Sequence, residues 1–457
     1  MLRAIRMTGT QHEFLRRHLF PGDGNEAVAL MLCGRLAEGD QHILCAYEIY
    51  PISHESCRER TPDRVTWNPE HGRGLFDKAV AKSMAILKVH SHPGGYDMFS
   101  EFDDKSDSDL FSSLHAWTDD GFPHASAVML PTGRLFARFV ERDRSFHDVE
   151  KILVVGDEIR LFRTETTEAV DGAQLRTSQT FGEKTTRLLK KLRVGVVGCS
   201  GTGSWVIEQL SRLGVGQLLL VDPDTVEKKN LNRIVNTTED DARDKKGKVY
   251  ALRDTILTHG TQNGVEVLQA SLLEEAVAKK LAGCDVLFGC MDSVEGRDRL
   301  NRLAAFYTLP YFDLGVRLDA DGSGGISNVS GVVHYLIPGG SSLLSRGAYS
   351  SEALRVEALR RTDPEQYRRE LDDGYIKGAK VDSPAVISVN GFCATMAVNE
   401  LLARIHPYRS GKLAEERRQQ FDLKNCFWHQ LEDGPSCSML AKFAGRGDML
   451  PFLNSMS

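Results

Sequence analysis

The stretch Arg193-Val-Gly-Val-Val-Gly198-Cys-Ser200-Gly201-Thr-Gly203-Ser-Trp constrains this chain most, because it reads as a buried strand, a glycine-rich turn and a helix start. Such a turn lets the backbone N–H groups of a helix N-terminus approach phosphate closely. The middle G-x-G position is Ser200, so the turn by itself fits a dinucleotide enzyme as well as an ATP enzyme. The chain then alternates: strand 193–197, helix 204–213, strand 217–221, helix 247–257, strand 265–269, helix 274–281, strand 285–289. This alternation predicts a doubly wound parallel α/β sheet.

The residues after these strands separate the two nucleotide chemistries. Asp222 ends the second strand, where a carboxylate can bind ribose hydroxyls, although Asp222 and Asp224 also suit a capped turn. Asn230, Asn232 and Arg233 follow, then Lys248, and a cation pair suits a triphosphate better than a nicotinamide. Asp292 stands at the carboxyl end of a central strand, a position fit to hold magnesium. Arg297, five residues on, is either part of the site or a solvated helix residue.

Residues 1–163 follow another pattern. Strands are expected at 27–33, 43–47, 85–89, 125–130 and 135–140 with a helix at 74–84, a mixture without strict alternation that reads as α+β. Directly after the third strand comes His90-Ser-His92-Pro-Gly-Gly-Tyr-Asp-Met-Phe-Ser100-Glu-Phe-Asp103. Residues two apart on a strand share a face, so His90 and His92 can converge on one ion, with Asp103 as an oxygen ligand and the fourth tetrahedral position left for water. Zinc would activate that water at neutral pH. Glu26, at the mouth of strand 27–33, is the candidate base, with Glu48 as its rival on a nearby strand. A structural alternative exists for each half: Ser-x-x-Asp is also a helix cap, and H-x-H is common on surfaces.

The joint pattern of Glu26, His90, His92, Ser100 and Asp103 resembles the JAMM (JAB/MPN) metalloproteases. That resemblance implies hydrolysis of peptide or isopeptide bonds at the C-terminus of ubiquitin-like proteins. It assigns Glu26 as base, His90, His92 and Asp103 as zinc ligands, and Ser100 as oxyanion stabiliser. The later residues resemble the ThiF/MoeB adenylyltransferases, which include the adenylation domains of ubiquitin-activating enzymes. By that resemblance Gly198, Gly201 and Gly203 form the phosphate turn, Asp222 binds ribose beside Asp224, Asn230, Arg233 and Lys248 bind the triphosphate, and Asp292 holds Mg2+. Arg176 is similar to the arginine that family dimers insert into the neighbouring active site, which implies a homodimer through the adenylation domain.

Together these resemblances imply a fusion in a bacterial ubiquitin-like system, using zinc, ATP and magnesium. Its partner would be a small ubiquitin-like β-grasp protein, with a conjugating enzyme downstream. The expected organisation is a peptidase domain over 1–163, a linker over 164–175, an adenylation domain over 176–406 that takes in the run from Ser383 to Asn390, and an irregular tail over 407–457. Residues 341–380 read as polar and turn-rich. Two alternatives stay open: activation and processing of a sulfur carrier, and a regulatory binding module with an inactive site.

The nine cysteines contain no C-x-x-C pair, which argues against a disulfide framework or a zinc ribbon. Many ThiF relatives carry paired zinc cysteines after Pro-Gly, whereas the stretch beginning Ile337-Pro-Gly-Gly has serines instead. Cys199 and Cys393 read as packing residues, while Cys426 and Cys437 are thioester candidates, or ligands together with His429. With 57 Lys+Arg against 63 Asp+Glu, the net charge of -6 argues against a nucleic-acid coat. No apolar run is long enough for a membrane span and no secretory signal is visible, so a cytoplasmic protein is expected. Asp97, Glu101, Asp103, Asp104, Asp107 and Asp109 face only Lys105 in the sequence, suggesting an acidic rim for a basic carrier tail.

Overall fold

A computed structural model describes residues 2–163, 172–260, 264–321, 323–373, 376 and 385–449. Residues 164–171 of the expected linker, together with Ser383, lie outside them. The chain forms two compact units, one of Met1–Thr167 with Ala305–Thr308 and Lys442–Ser457, the other of Glu168–Ala304 with Leu309–Ala441.

The first unit is built on a nine-stranded mixed sheet in the order Ile159–Arg163, Lys151–Val155, Leu2–Thr8, Gln41–Pro51, Val28–Glu38, Ala85–Ser91, His124–Met129, Leu135–Val140, Phe146–Asp148. Strand Val28–Glu38 is apolar on both faces because both are covered. Ala29, Met31 and Cys33 pack in one core with Leu15 and Leu19 of helix Gly9–Leu19. Val28, Leu30 and Leu32 pack in the other core with Phe76 of helix Arg73–Lys82 and Phe111 of helix Glu101–Thr118. Hairpin Cys57–Thr61/Arg64–Trp67 stands outside the sheet.

The C-terminal segment belongs to this unit. Gly34 N–H donates to the Gly445 carbonyl (3.1 Å) and Asp448 N–H to that of Arg35 (2.7 Å). The approach is so close that a Cβ on Gly34 or Gly447 would strike opposing backbone.

The second unit has the expected doubly wound core. Strands Gly264–Leu268, Gln217–Val221, Arg193–Val197, Val286–Gly289 and Tyr311–Ala320 are parallel neighbours in that order, with the phosphate-turn strand in the middle. Three antiparallel strands, Ile326–Leu336, Arg418–Asp422 and Phe427–Gln430, extend the sheet. Two of them come from the stretch expected to be an irregular tail. Arg418–Asp422 is held by the distant strand Ile326–Leu336, a partner that local sequence does not reveal, and Phe427–Gln430 folds back on it as a hairpin. The region expected to be turn-rich also holds helices Ser351–Thr362 and Pro364–Asp372. Their starts are written in the sequence: Ser350 accepts the Ala353 N–H, and Asp363 accepts that of Gln366 just before Pro364.

Candidate active sites

In the first unit, strands Val28–Glu38 and Ala85–Ser91 are antiparallel with Val28 opposite His90, and continuing this register sets Glu26 opposite His92. Hydrogen bonds on both sides fix the Glu26 backbone: its N–H donates to Thr61 O (2.8 Å), and its carbonyl accepts from Arg60 Nε (2.9 Å). Arg60 is invisible as a site residue from sequence, since it stands 34 positions away and belongs to no motif. The rival Glu48 is half-buried and pairs with Lys78 at 2.7 Å, away from the histidines.

Asp103 arrives from helix Glu101–Thr118. Ser100 caps this helix by accepting the Asp103 N–H (3.2 Å), while Asp103 Oδ2 accepts both the Ser100 N–H (2.8 Å) and its hydroxyl (2.7 Å). The helix-cap alternative is therefore realised, and the same cap aims Asp103 at the histidines.

His90 Nε2 lies 2.9 Å from Asp103 Oδ1, His92 Nε2 lies 3.5 Å from Asp103 Oδ2, and the two imidazole nitrogens are 3.1 Å apart. Ligands about 2.0–2.2 Å from a tetrahedral ion stand roughly 3.3–3.5 Å from one another, so this donor set fits zinc in both chemistry and scale. Among the described residues, His90, His92 and Asp103 are the one group of this kind. His92 Nδ1 donates to Tyr96 O (2.7 Å), leaving the Nε2 lone pair facing inward. His90 Nδ1 is buried without a partner among the described residues.

The electrostatics of the cluster are strongly perturbed. Burial pushes Glu26 up to about 7. Burial lowers His90, whereas for His92 the opposing burial is outweighed by Asp103 and the Tyr96 carbonyl, which raise it. Asp103 resists burial through its bonds to His90 and His92 and stays well below the usual carboxylate range.

The acidic rim needs correction. Asp107 is fully buried and bonded to Lys88 and Arg138, and Asp104 pairs with Arg138. Asp107 lies on the inward side of the helix and Asp104, half-exposed, is neutralised by its pair, which leaves Asp97, Glu101 and Asp109 exposed and unassigned to either cation.

In the second unit the glycine turn is held by close approach. Gly198 has a φ of 91°, which favours glycine, and a Cβ on Gly203 would overlap the Gly198 carbonyl oxygen. A Cβ on Gly201 would strike the Asn390 amide, so Asn390, buried on helix Ile387–Ile405, packs directly on the turn. Asp222 is tied to the turn by the Cys199 N–H (2.7 Å) and accepts the Asp224 N–H (2.9 Å); burial raises its pKa. Lys248 opens helix Lys248–Thr258, buried, with its ammonium 2.7 Å from Asp224 and 3.8 Å from Asp222.

The remaining predicted residues are less converged. Asn230 is buried and uses its side-chain oxygen on the Glu227 N–H (3.0 Å). Arg233 passes its stem beside Gly201 while its guanidinium bonds Lys229 O (2.8 Å). Asp292 is exposed, two residues beyond Cys290, whose carbonyl abuts Gly198. Arg297 is no solvated helix residue: it forms an ion pair with fully buried Asp313, which also accepts the Tyr311 hydroxyl (2.8 Å). Arg176 is exposed on helix Leu175–Lys191 and contacts Gln179.

Among the cysteines, Cys199 and Cys393 are buried, as packing residues should be. Cys437 is buried too, with its N–H on Gly340 O (2.9 Å), and this removes it as a solvent-reachable acceptor. Cys426 is exposed in the turn between the last two strands. Among the described residues no metal cluster forms around His429.

These features define a two-unit protein, with a histidine–aspartate cluster in one unit and a phosphate-type turn on a doubly wound sheet in the other. Residues 172–439, more than half of the sequence, match the ThiF family, and the chain belongs to that family. Residues 11–142 match the prokaryotic homologs of the JAB domain, so the chain is a fusion of the two.

Over 169 residues the chain is 31% identical to ubiquitin-like modifier-activating enzyme 5 of Arabidopsis thaliana, covering 33% of this chain and 36% of that protein. Over 120 residues it is 37% identical to molybdopterin-synthase adenylyltransferase of Salmonella typhimurium, covering 26% of this chain and 47% of that one. The chain thus spans less than half the length of either relative. A crystal structure of E. coli MccB aligns at a TM-score of 0.46 with 20% identity, over 59% of this chain and 75% of that chain. Among the described residues no helix is long and apolar enough to cross a membrane.

Proposed function

We propose that the chain is bifunctional: the first unit hydrolyses the peptide or isopeptide bond at the C-terminus of a ubiquitin-like protein, and the second adenylates the exposed C-terminal glycine with Mg-ATP. The observation that carries this reading is the presence, on one chain, of the inward-facing His90–His92–Asp103 set with Glu26 beside it and the Asp222–Lys248 pair at the phosphate turn.

In the first unit His90, His92 and Asp103 would hold the zinc ion. When bound, such an ion supplies Lewis-acid chemistry at neutral pH. Glu26, 3.9 Å from His92 Nε2, takes a proton from the attacking water and returns it to the leaving amine. The Ser100 hydroxyl, turned from Asp103, donates to the oxyanion that develops on the scissile carbonyl.

In the second unit Asp222 binds the ribose, and the N–H groups of the Gly198–Gly203 turn face the phosphates. The glycine carboxylate attacks the α-phosphorus and the bond to pyrophosphate breaks. Lys248 leaves Asp224 to neutralise the departing charge together with Arg233, and Asp292 is the residue that would hold magnesium. Asn230 joins the triphosphate contacts, and Arg176 would reach the site of a second copy in a homodimer. Cys426 is the acceptor if a thioester follows, before transfer to a conjugating enzyme. A second reading keeps the same adenylation chemistry and takes a sulfur carrier as substrate; one relative is a molybdopterin-synthase adenylyltransferase.

The test uses the purified full chain, with zinc measured by elemental analysis and ATP–pyrophosphate exchange measured with a β-grasp protein ending in glycine. Near-stoichiometric zinc and exchange that depends on the added protein are expected. Absence of zinc overturns the peptidase half, and exchange independent of any carrier overturns the substrate class.

A further inference from the structure

Behind the candidate zinc ligands lies a second set of charges that the chemistry above does not use. Lys88, Asp107 and Arg138 are all buried. Lys88 Nζ lies 2.7 Å from Asp107 Oδ1 and donates to Ser106 Oγ at 3.3 Å; Arg138 Nη2 lies 2.7 Å from Asp107 Oδ2. Arg138 also pairs with Asp104, and its guanidinium is sandwiched between the rings of Phe99 (3.9 Å) and Phe146 (3.8 Å).

The placement of these residues is periodic. Lys88 and His90 are two apart on strand Ala85–Ser91 and share a face, a step of roughly 6.6 Å. Asp107 and Asp103 are four apart on helix Glu101–Thr118, a step of about 6 Å along one face. Strand and helix are therefore joined by two matched rungs, His90–Asp103 at 2.9 Å and Lys88–Asp107 at 2.7 Å. Sliding or rotating the helix by one residue would break both. Arg138 holds the same helix from strand Leu135–Val140 and, through Phe99, the chain that enters the Ser100 cap.

Buried ion pairs are a poor route to stability, because desolvation consumes most of the Coulombic gain; their best-attested use is to fix register. We propose that Lys88, Asp107 and Arg138 form a clamp that positions Asp103 against the two imidazoles and thereby sets the zinc affinity of this unit. These are positioning residues, and the proposal rests on the zinc reading given above.

The experiment titrates metal-free full chain with zinc against a chromophoric chelator, alongside circular dichroism and thermal melting. The variant Lys88→Met/Asp107→Leu/Arg138→Met replaces the charges with apolar groups of similar size, so a folded protein is expected. Its zinc affinity should fall about 10–100-fold, the range typical for loss of the partners that orient metal ligands. Two single changes cover the case in which the triple variant does not fold: Lys88→Arg, which keeps the charge, should retain affinity within about threefold, and Asp107→Asn should lose about tenfold or more. A folded triple variant, or an Asp107→Asn protein, with wild-type zinc affinity overturns the clamp while leaving the zinc reading intact. Wild-type protein that takes up no zinc overturns both.

Discussion

In the first unit the three candidate ligand atoms already lie within 4.8 Å of one another, whereas in the second the charged groups mostly satisfy each other or face solvent. Lys248 is paired with Asp224, Arg233 bonds a neighbouring carbonyl, and Asp292 is exposed. The difference follows from the ligands expected. A single ion needs a preformed cage with about 2 Å bonds, and here a strand and a capped helix supply it. A nucleotide brings its own charges and extends over several strand ends, so the turn is built by close packing while the cations remain free to exchange partners.

The largest effect that would sharpen this contrast is removal of a cage member. His90→Ala should abolish zinc uptake and lower hydrolysis of a carrier with a C-terminal extension by about 10³-fold or more, while pyrophosphate exchange on a carrier already ending in glycine is unchanged. Loss of both activities would show that the sites are not separable. Next in size is Lys248→Met, expected to slow exchange by about 10²–10³-fold with hydrolysis intact, as for loss of one preorganised charge at a developing anion. A variant that keeps wild-type exchange would remove Lys248 from the chemistry.

Much of this contrast is legible in the sequence, and the rest is hidden for physical reasons. The parallel strands Arg193–Val197 and Gln217–Val221 stand out because strands buried on both faces are continuous apolar runs. The His90-to-Asp103 segment stands out because strand, turn and helix cap are contiguous. Glu26 is aligned by register between strands, which a single sequence does not display, and spacing alone left Glu48 as a rival. Tyr96 contributes a backbone carbonyl, which carries no side-chain signature. Asp107 reads as part of an acidic surface in the sequence because its cations, Lys88 and Arg138, come from distant strands. Strand Arg418–Asp422 is hidden for the same reason, since its partner Ile326–Leu336 is nearly ninety residues away, and the hairpin strand Phe427–Gln430 is anchored only through it.

Two smaller effects refine the second unit. Gly203→Ala places a methyl group against the Gly198 carbonyl; exchange should fall about tenfold or more, mainly through a raised KM for ATP, with the melting temperature of the first unit unaffected. An unchanged KM would mean that the turn can relax and does not cradle phosphate. Cys426→Ser should leave exchange at the wild-type rate yet abolish any reducible adduct with the carrier, whereas Cys437→Ser should spare the adduct because that thiol is buried. An adduct surviving Cys426→Ser would move the acceptor elsewhere.

The central claim is that the two sites act in order on one carrier. The most direct measurement is ATP–pyrophosphate exchange by the full chain on a β-grasp protein whose C-terminal glycine is followed by a short extension, compared with the same protein ending at glycine. The account predicts that His90→Ala or a zinc chelator suppresses exchange on the extended protein and leaves it intact on the trimmed one. Equal exchange on the extended protein with and without a functional His90 would contradict it.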